Sequence, residues 1–109
     1  MKEHIEYHTN GKLYKQMYYK DGLLEGDYKV FDINGRLLTK STYVNGKLNG
    51  KQKTYYPILT EIDFVDDIAI GFIRSYYPNG KLSSELEIFD WVPVGREKIW
   101  DEKGRVKEI

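Results

Sequence analysis

The sequence lacks several features that would place it in a common functional class. It contains no cysteine, which excludes disulfides and thiolate metal sites and suits a reducing compartment. Its 17 lysines and arginines balance 17 aspartates and glutamates, so the formal net charge is zero. Nucleic-acid binding generally needs a clear positive excess. We therefore expect no nucleic-acid partner.

Long apolar runs are also missing. Residues 1–13 hold no apolar stretch of the kind that forms a signal peptide. No segment approaches the roughly 20 apolar residues of a membrane span. We therefore expect no membrane span and a cytoplasmic location. With 109 residues, the chain is expected to form a single domain, 1–109.

What the sequence does contain is tyrosine and regularly spaced glycine, ten of each. One series, at steps of 24, 45 and 24 residues, is Gly11, Gly35, Gly80 and Gly104. A second, at steps of 24, 21 and 24, is Gly26, Gly50, Gly71 and Gly95. The long step of the first series holds a shortened copy at 54–59, without Asn-Gly. A fixed period of this length is typical of a repeat array. The predicted repeats are 4–26, 27–50, 51–71, 72–95 and a partial repeat, 96–109.

The first glycine of each repeat predicts a hairpin. In the segment YYPNGKL, proline, asparagine and glycine suit a three-residue loop with a glycine bulge. That loop pairs Tyr76 with Leu82. The same register pairs Tyr7 with Leu13, Phe31 with Leu37 and Trp100 with Val106. A two-residue loop would pair Tyr7 with Tyr14 instead and gives a less apolar set of pairs, so the bulged loop is favoured.

The strands after these turns alternate between apolar and polar residues. The apolar sets predicted to share one face are Leu13, Met17 and Tyr19; Leu37 and Tyr43; Ile62 and Phe64; and Leu82, Leu86 and Ile88. Polar residues, Glu61 among them, are expected on the other face. The pattern predicts an all-β fold, a single-layer twisted antiparallel meander of about five tandem β-hairpin repeats. The second turns, such as 20–26 and 90–95, are expected to fold back as a plug over the sheet.

The motifs YYPNGKL, FDINGRL and YVNGKLNG resemble the MORN repeat family, in particular its bacterial variant rich in Asn-Gly-Lys-Leu. The resemblance covers about residues 5–106 and departs from the pattern at 57–59. It implies a non-catalytic interaction module, since proteins built from this variant are described as antitoxin or immunity proteins paired with a toxin.

Residues that could carry chemistry are few. His4 and His8, four residues apart on a strand, would lie about 13 Å apart, too far to share a metal ion. The serines have no neighbouring base in the sequence. Acidic pairs such as Asp66-Asp67 suit a turn or a solvated strand face. We expect no catalytic, cofactor-binding or metal-binding residue, and a small hydrolase-like enzyme is only a remote alternative.

Tyrosines are the best candidates for a binding surface. Five are predicted on the face opposite the packed one: Tyr14, Tyr18, Tyr28, Tyr56 and Tyr77. A charged edge beside them is predicted from Lys29, Lys53, Arg74 and Lys98. Tyrosine is a common anchor in protein interfaces, although cross-strand tyrosine pairs also stabilise thin sheets. We expect a protein partner, specifically a toxin domain. The alternative is a scaffold or adaptor that forms a homodimer through its sheet edges.

Overall fold

A computed structural model describes residues 1–107. Within this range the chain forms one open antiparallel sheet of 13 strands and no helix. The strands are β1 (Lys2–Tyr7), β2 (Leu13–Lys20), β3 (Leu23–Leu24), β4 (Gly26–Phe31), β5 (Leu37–Val44), β6 (Lys47–Leu48), β7 (Gly50–Thr54), β8 (Thr60–Val65), β9 (Ile68–Tyr76), β10 (Leu82–Phe89), β11 (Val92–Pro93), β12 (Lys98–Trp100) and β13 (Val106–Lys107).

The strands are ordered almost as they occur in the chain. The path is β1-β2-β4-β5-β7-β8-β9-β10-β12-β13, and β3, β6 and β11 pair with β2, β5 and β10. The molecule measures 48 × 31 × 16 Å. Two packed sheets would already lie about 10 Å apart before their outer side chains are added, so a thickness of 16 Å fits one layer. The predicted all-β hairpin meander is confirmed.

The hairpin register predicted from the first glycine series is also confirmed. Gly80 donates its N–H to the carbonyl of Tyr77 at 2.8 Å, and Tyr77 donates to the carbonyl of Lys81 at 2.8 Å. Tyr76 then pairs with Leu82. The predicted pairs at the other three turns form in the same way. The four glycines of this series have φ between 86° and 93°, a conformation that side chains disfavour.

A further bulge follows three of these turns. Leu82 pairs with Tyr76, but Ser84 pairs with Ser75, so Ser83 is an extra residue. Tyr14 and Leu38 are the equivalent extra residues in the first two hairpins.

Because of these bulges, some side chains lie on a different face of the sheet from the one predicted. An inserted residue reverses the alternation of side chains across a strand. Leu13, Leu37 and Leu82 therefore lie on the opposite face from Met17, Tyr43 and Leu86, and the prediction that they share one face is wrong. The prediction holds for Ile62 with Phe64, which pair in regular register with β7, and for Leu86 with Ile88.

The second turns remain in the plane of the sheet. Each has two residues of positive φ, at Asp21-Gly22, Asn45-Gly46, Asp66-Asp67 and Asp90-Trp91. This is the geometry of a two-residue hairpin turn whose backbone twist matches that of the flanking strands. Neighbouring tips are joined, for example by the N–H of Gly46 and the carbonyl of Leu24 at 2.8 Å. Leu23 is 48% exposed and Val92 61% exposed, so the predicted plug over the sheet is wrong.

The first turns are also joined to one another. Asn10 donates its side-chain N–H to the carbonyl of Ile33 at 2.8 Å. Asn79 makes the equivalent bond to the carbonyl of Glu102 at 2.9 Å. Both ends of the array thus hold the same turn-to-turn contact, made from one repeat to the next.

Burial is concentrated in the second half of the sheet. Phe64, Ala69 and Ile88 are buried on one face, called the core face here, and they pack with Leu48, Ile62, Ile73 and Leu86. In the first hairpin, Met17 is buried on this face as well. The other face is called the polar face.

The middle of the array departs from the regular pattern. A five-residue loop, 55–59, joins β7 to β8 and contains a cis Tyr56–Pro57 bond. The predicted partial repeat 96–109 contributes β12 and β13, while its residues 108 and 109 lie outside the described part of the chain.

Candidate functional site

A row of charged side chains crosses the polar face. Successive strands place these residues opposite one another in register: Lys29, Lys40, Lys53, Glu61, Arg74, Glu85 and Lys98. This set is called the charged row. Four of its members were predicted to flank a tyrosine strip, and the structure aligns them. The other three were missed as members, because their alignment depends on the register of strands that are distant in sequence.

The second half of the charged row is densely paired. Arg74 donates from Nε to Glu85 at 2.8 Å, and Lys53 lies 3.5 Å from Glu61. The Tyr76 hydroxyl donates to Glu61 at 2.5 Å. Glu61 is only 7% exposed, although it lies on the face that was predicted to carry polar residues. Burial, reinforced by the bond to Glu61, raises the pKa of Tyr76 to about 12.

The first half of the charged row has an excess of positive charge. Lys29, Lys40 and Lys53 are directly opposite one another on three neighbouring strands. Lys40 lies 3.8 Å from Asp27, whereas Lys29 makes no ion pair with any residue from 1 to 107. Like charges directly opposite each other destabilise a sheet. Lys40 and Lys53 each have a carboxylate neighbour, so Lys29 is the lysine of this stretch that has no ion pair among residues 1–107.

The five predicted tyrosines do not form one strip. Tyr18 lies on the polar face beside Glu3. Its pKa is raised mainly by burial and also by the nearby carboxylate of Glu3. Tyr28 lies on the core face, where its ring centroid is 5.8 Å from that of Tyr43. The pKa of Tyr43 is raised mainly by burial and also by the neighbouring Tyr28. The expectation that all five share the face opposite the packed one is wrong, since Tyr28 directly neighbours the charged-row residue Lys29 on its strand.

The remaining three tyrosines lie close to the first turns. Tyr14 is a bulge residue whose ring lies 4.5 Å from that of His8. The hydroxyl of Tyr77 donates to the carbonyl of Trp100 at 2.6 Å. Tyr56 is 52% exposed, and the Arg36 guanidinium lies 4.1 Å from its ring centroid. Tyr56 is thus the most accessible of the predicted set, and a partner role for all five stays a prediction.

The residues considered for chemistry are occupied by structural contacts. His4 contacts Glu6 at 3.3 Å, and His8 contacts the carbonyl of Phe31 at 2.9 Å. Ser41, 5% exposed, accepts a bond from Gln52 at 3.0 Å. Within residues 1–107, no three His, Cys, Asp or Glu side chains gather in a way that could hold a metal ion.

A small depression lies on the first-turn side of the sheet. A depression of about 240 Å³ lies between the 55–59 loop and the turn at Gly80, lined by side chains that include Ile58 and Tyr76. The same part of the chain, 1–107, has no helix of the length and apolarity needed to cross a membrane.

Comparison with known proteins matches two parts of the chain to one family. The model of the MORN repeat variant matches residues 2–21 and 73–89, the first hairpin and the β9–β10 hairpin. These segments together make up about a third of the chain. No curated protein matches the sequence.

Proposed function

We propose that this chain is a non-catalytic protein-binding repeat module, and that its partner is a toxin domain which it neutralises in the cytoplasm of a bacterium. The observation that carries the proposal is the single layer: a sheet of 48 × 31 × 16 Å offers two broad surfaces. Aligned side chains on such a sheet can contact a partner over the area of a standard interface. We also propose that the repeat units are residues 4–26, 27–50, 51–71 and 72–95.

The charges of the polar face support a protein partner. The lysine stretch at Lys29, Lys40 and Lys53 is held in register by the strands, so it presents a fixed spacing of positive charge. Fixed charges favour association with an oppositely charged surface and raise its rate. Accessible aromatic side chains such as Tyr56 would add apolar contact area. The toxin itself is supported by the resemblance to the Asn-Gly-Lys-Leu variant.

Co-expression tests this proposal directly. The chain would be produced together with a toxin candidate encoded beside it in the native host, and growth would be measured. Rescue by the wild-type chain is expected, with a Tyr14→Ala, Tyr56→Ala and Tyr77→Ala variant rescuing less. Tyr7→Ala is the matched control, because Tyr7 is 63% exposed but outside the predicted set. If all variants rescue growth equally, the tyrosines are not the binding residues. If the wild-type chain neither rescues growth nor co-purifies with another protein, the proposed function is wrong.

A scaffold that self-associates is the second candidate, and the edge strand β1 favours it. Its six residues pair with β2 on one side only. An unpaired strand edge is a template for another strand. If this is the function, light scattering should show a dimer whose fraction rises with concentration, in the absence of any other protein.

A further inference from the structure

The second-turn side of the polar face carries an exposed apolar patch. Val65 pairs with Ile68, Ile70 pairs with Phe89, and Phe89 pairs with Val92. These five residues are called the tip patch. Alternation places them opposite the core residues Phe64, Ala69 and Ile88. Four of them are 45–61% exposed. Clustered exposure of this kind marks interaction sites more often than scattered apolar residues do.

Corresponding positions in the first two repeats are interrupted by lysine. The second turn of the first repeat is flanked by Lys20 and Leu23. The second turn of the second repeat is flanked by Val44 and Lys47. Each of these pairs combines one apolar side chain with one charge. In the third and fourth repeats both members of the pair are apolar. The tip patch is therefore particular to one end of the array and is not a requirement of the repeat.

Trp91 lies in the turn next to the tip patch, with its ring toward the core face. It occupies the second turn position with φ of 67°, where the first two repeats have Gly22 and Gly46. A bulky residue at positive φ is a genuine outlier. Its ring is 55% exposed and lies edge-on to Phe64, with 6.0 Å between centroids.

Carboxylates border the tip patch. Glu87 precedes Phe89 by two residues on the same face, and Asp90 lies in the adjoining turn. Neither side chain forms an ion pair within the described chain. Asp66 and Asp67, in the neighbouring turn, accept bonds from Asn49 and the N–H of Leu48. Two copies docked patch to patch would bring these negative charges together, which disfavours a second copy as the occupant.

We propose that the tip patch docks an amphipathic segment of a partner protein. The apolar side chains of that segment cover the patch, and its lysine or arginine side chains reach Glu87 and the aspartates of the two turns. The proposal deepens the proposed function and rests on it, since it names the surface and the chemistry of the protein that is bound.

A calorimetric titration tests the chemistry of the occupant. The probe is a short helical peptide of leucine and lysine with one apolar face. It should bind the protein, and the same peptide with glutamate in place of lysine should bind about tenfold more weakly or worse. Equal binding of the two peptides would overturn the proposal.

Surface variants test the location. Phe89→Lys and Ile68→Lys should each weaken binding of the leucine–lysine peptide about tenfold or more. Leu23→Lys is the matched control, because Leu23 is 48% exposed in the first repeat, and it should leave the affinity unchanged. Circular dichroism checks that each variant is folded. Unchanged affinity in both patch variants would overturn the proposal, as would a wild-type dimer that Phe89→Lys converts to a monomer.

The toxin co-expression separates this inference from the proposed function. If rescue by Phe89→Lys and Ile68→Lys equals wild-type rescue and the peptides fail to discriminate, the tip patch is wrong while the binding function stands. If no partner is found but the peptide series behaves as expected, the patch stands and the toxin-binding function is wrong.

Discussion

Gly71 is a residue whose identity is dictated by its surroundings. It adopts φ of 118°, and an added Cβ would lie 2.6 Å from Oδ2 and 2.8 Å from Cβ of Asp63. Asp63 is held in place, because it accepts the N–H of Phe72 at 2.9 Å and the ammonium of Lys51 at 3.0 Å. Steric conflict and backbone strain therefore act together at this position.

The variant Gly71→Ala should lower the free energy of unfolding by about 2 kcal/mol or more, because the clash cannot be relieved without breaking the contacts of Asp63. Gly95→Ala is the control: no atom lies within 4 Å of a Cβ built there, and its φ is not positive. That change should stay within about 0.5 kcal/mol. Urea denaturation measures both. Equal effects at the two glycines would contradict the steric account.

Tyr76 makes stability depend on pH in the alkaline range. Burial and the bond to Glu61 raise the pKa of Tyr76 to about 12 in the folded state, compared with an ordinary value of 10.0. The unfolded chain therefore loses this proton first. The stabilisation is complete below about pH 10 and decreases as the pH rises toward about 12, since the folded state binds more protons in that window.

Absorbance of the phenolate should show a tyrosine that titrates near pH 12 and is missing in Tyr76→Phe. Denaturation measured between about pH 9 and 11.5 should show a steeper loss of stability for the wild type than for the variant. Lysine and the other tyrosines titrate in both proteins, so the difference isolates Tyr76. Parallel stability curves would contradict the assignment.

At the scale of the turns, three Asn-Gly pairs occupy the same position within their repeats, but their asparagine side chains make different contacts. The side chains of Asn10 and Asn79 bond to the next turn of the array. The side chain of Asn34 makes no hydrogen bond with residues 1–107, while its N–H bonds to Asp32. The sequence motif alone cannot separate these cases, because the contact depends on which turn lies beside it.

Asn79→Ala removes the bond to Glu102 in the next turn and the bond that Asn79 accepts from the N–H of Lys81 at 2.9 Å in its own turn. At about 0.5–1.5 kcal/mol for each hydrogen bond, it should destabilise the protein by about 1–3 kcal/mol. Asn34→Ala removes the same atoms at the same turn position and should cost clearly less. Thermal unfolding followed by circular dichroism compares the two. If Asn34→Ala is as destabilising as Asn79→Ala, these two bonds do not account for the effect.

The elements also show how far the sequence determines this fold. Glycine spacing and turn chemistry were sufficient for the hairpins and their pairs, since a bulged loop has local requirements. The second bulge, at Tyr14, Leu38 and Ser83, was missed. It leaves no mark in the apolar pattern, because Leu13 and Met17 keep the spacing of a regular strand while lying on opposite faces.

The candidate surfaces were predicted less well for the same reason. One extra residue changes which side chains share a face, so Tyr28 pairs with Ser41 on the core face and was misplaced, whereas Tyr18 lies on the predicted face. Lys29, Lys53, Arg74 and Lys98 were noted as recurring, yet the charged row depends on the register of several strands. The tip patch was missed because the second turns were expected to cover the sheet.

At the scale of the molecule, packing is uneven along the array. The core residues Phe64, Ala69 and Ile88 belong to β8, β9 and β10, whereas Met17 is the one buried apolar side chain described in the first two hairpins. In a repeat array each unit contacts its neighbours only, so stability is a sum of local terms. Hydrogen exchange should therefore be slowest in β8–β10 and faster in β1–β5, measured by mass spectrometry of the native protein. Uniform protection along the sheet would contradict this gradient.

A substitution in the core distinguishes a graded array from a single cooperative unit. Ile88→Ala removes a side chain that is 2% exposed and should cost about 2–5 kcal/mol locally. If stability is local, exchange should accelerate in β8–β11 and remain at the wild-type rate in β1 and β2, which contact none of the residues packed around Ile88. Val92→Ala, in the same hairpin but 61% exposed, should change little anywhere. Equal acceleration in every strand would mean that the sheet unfolds as one unit, because a single opening event would then expose all of its amides.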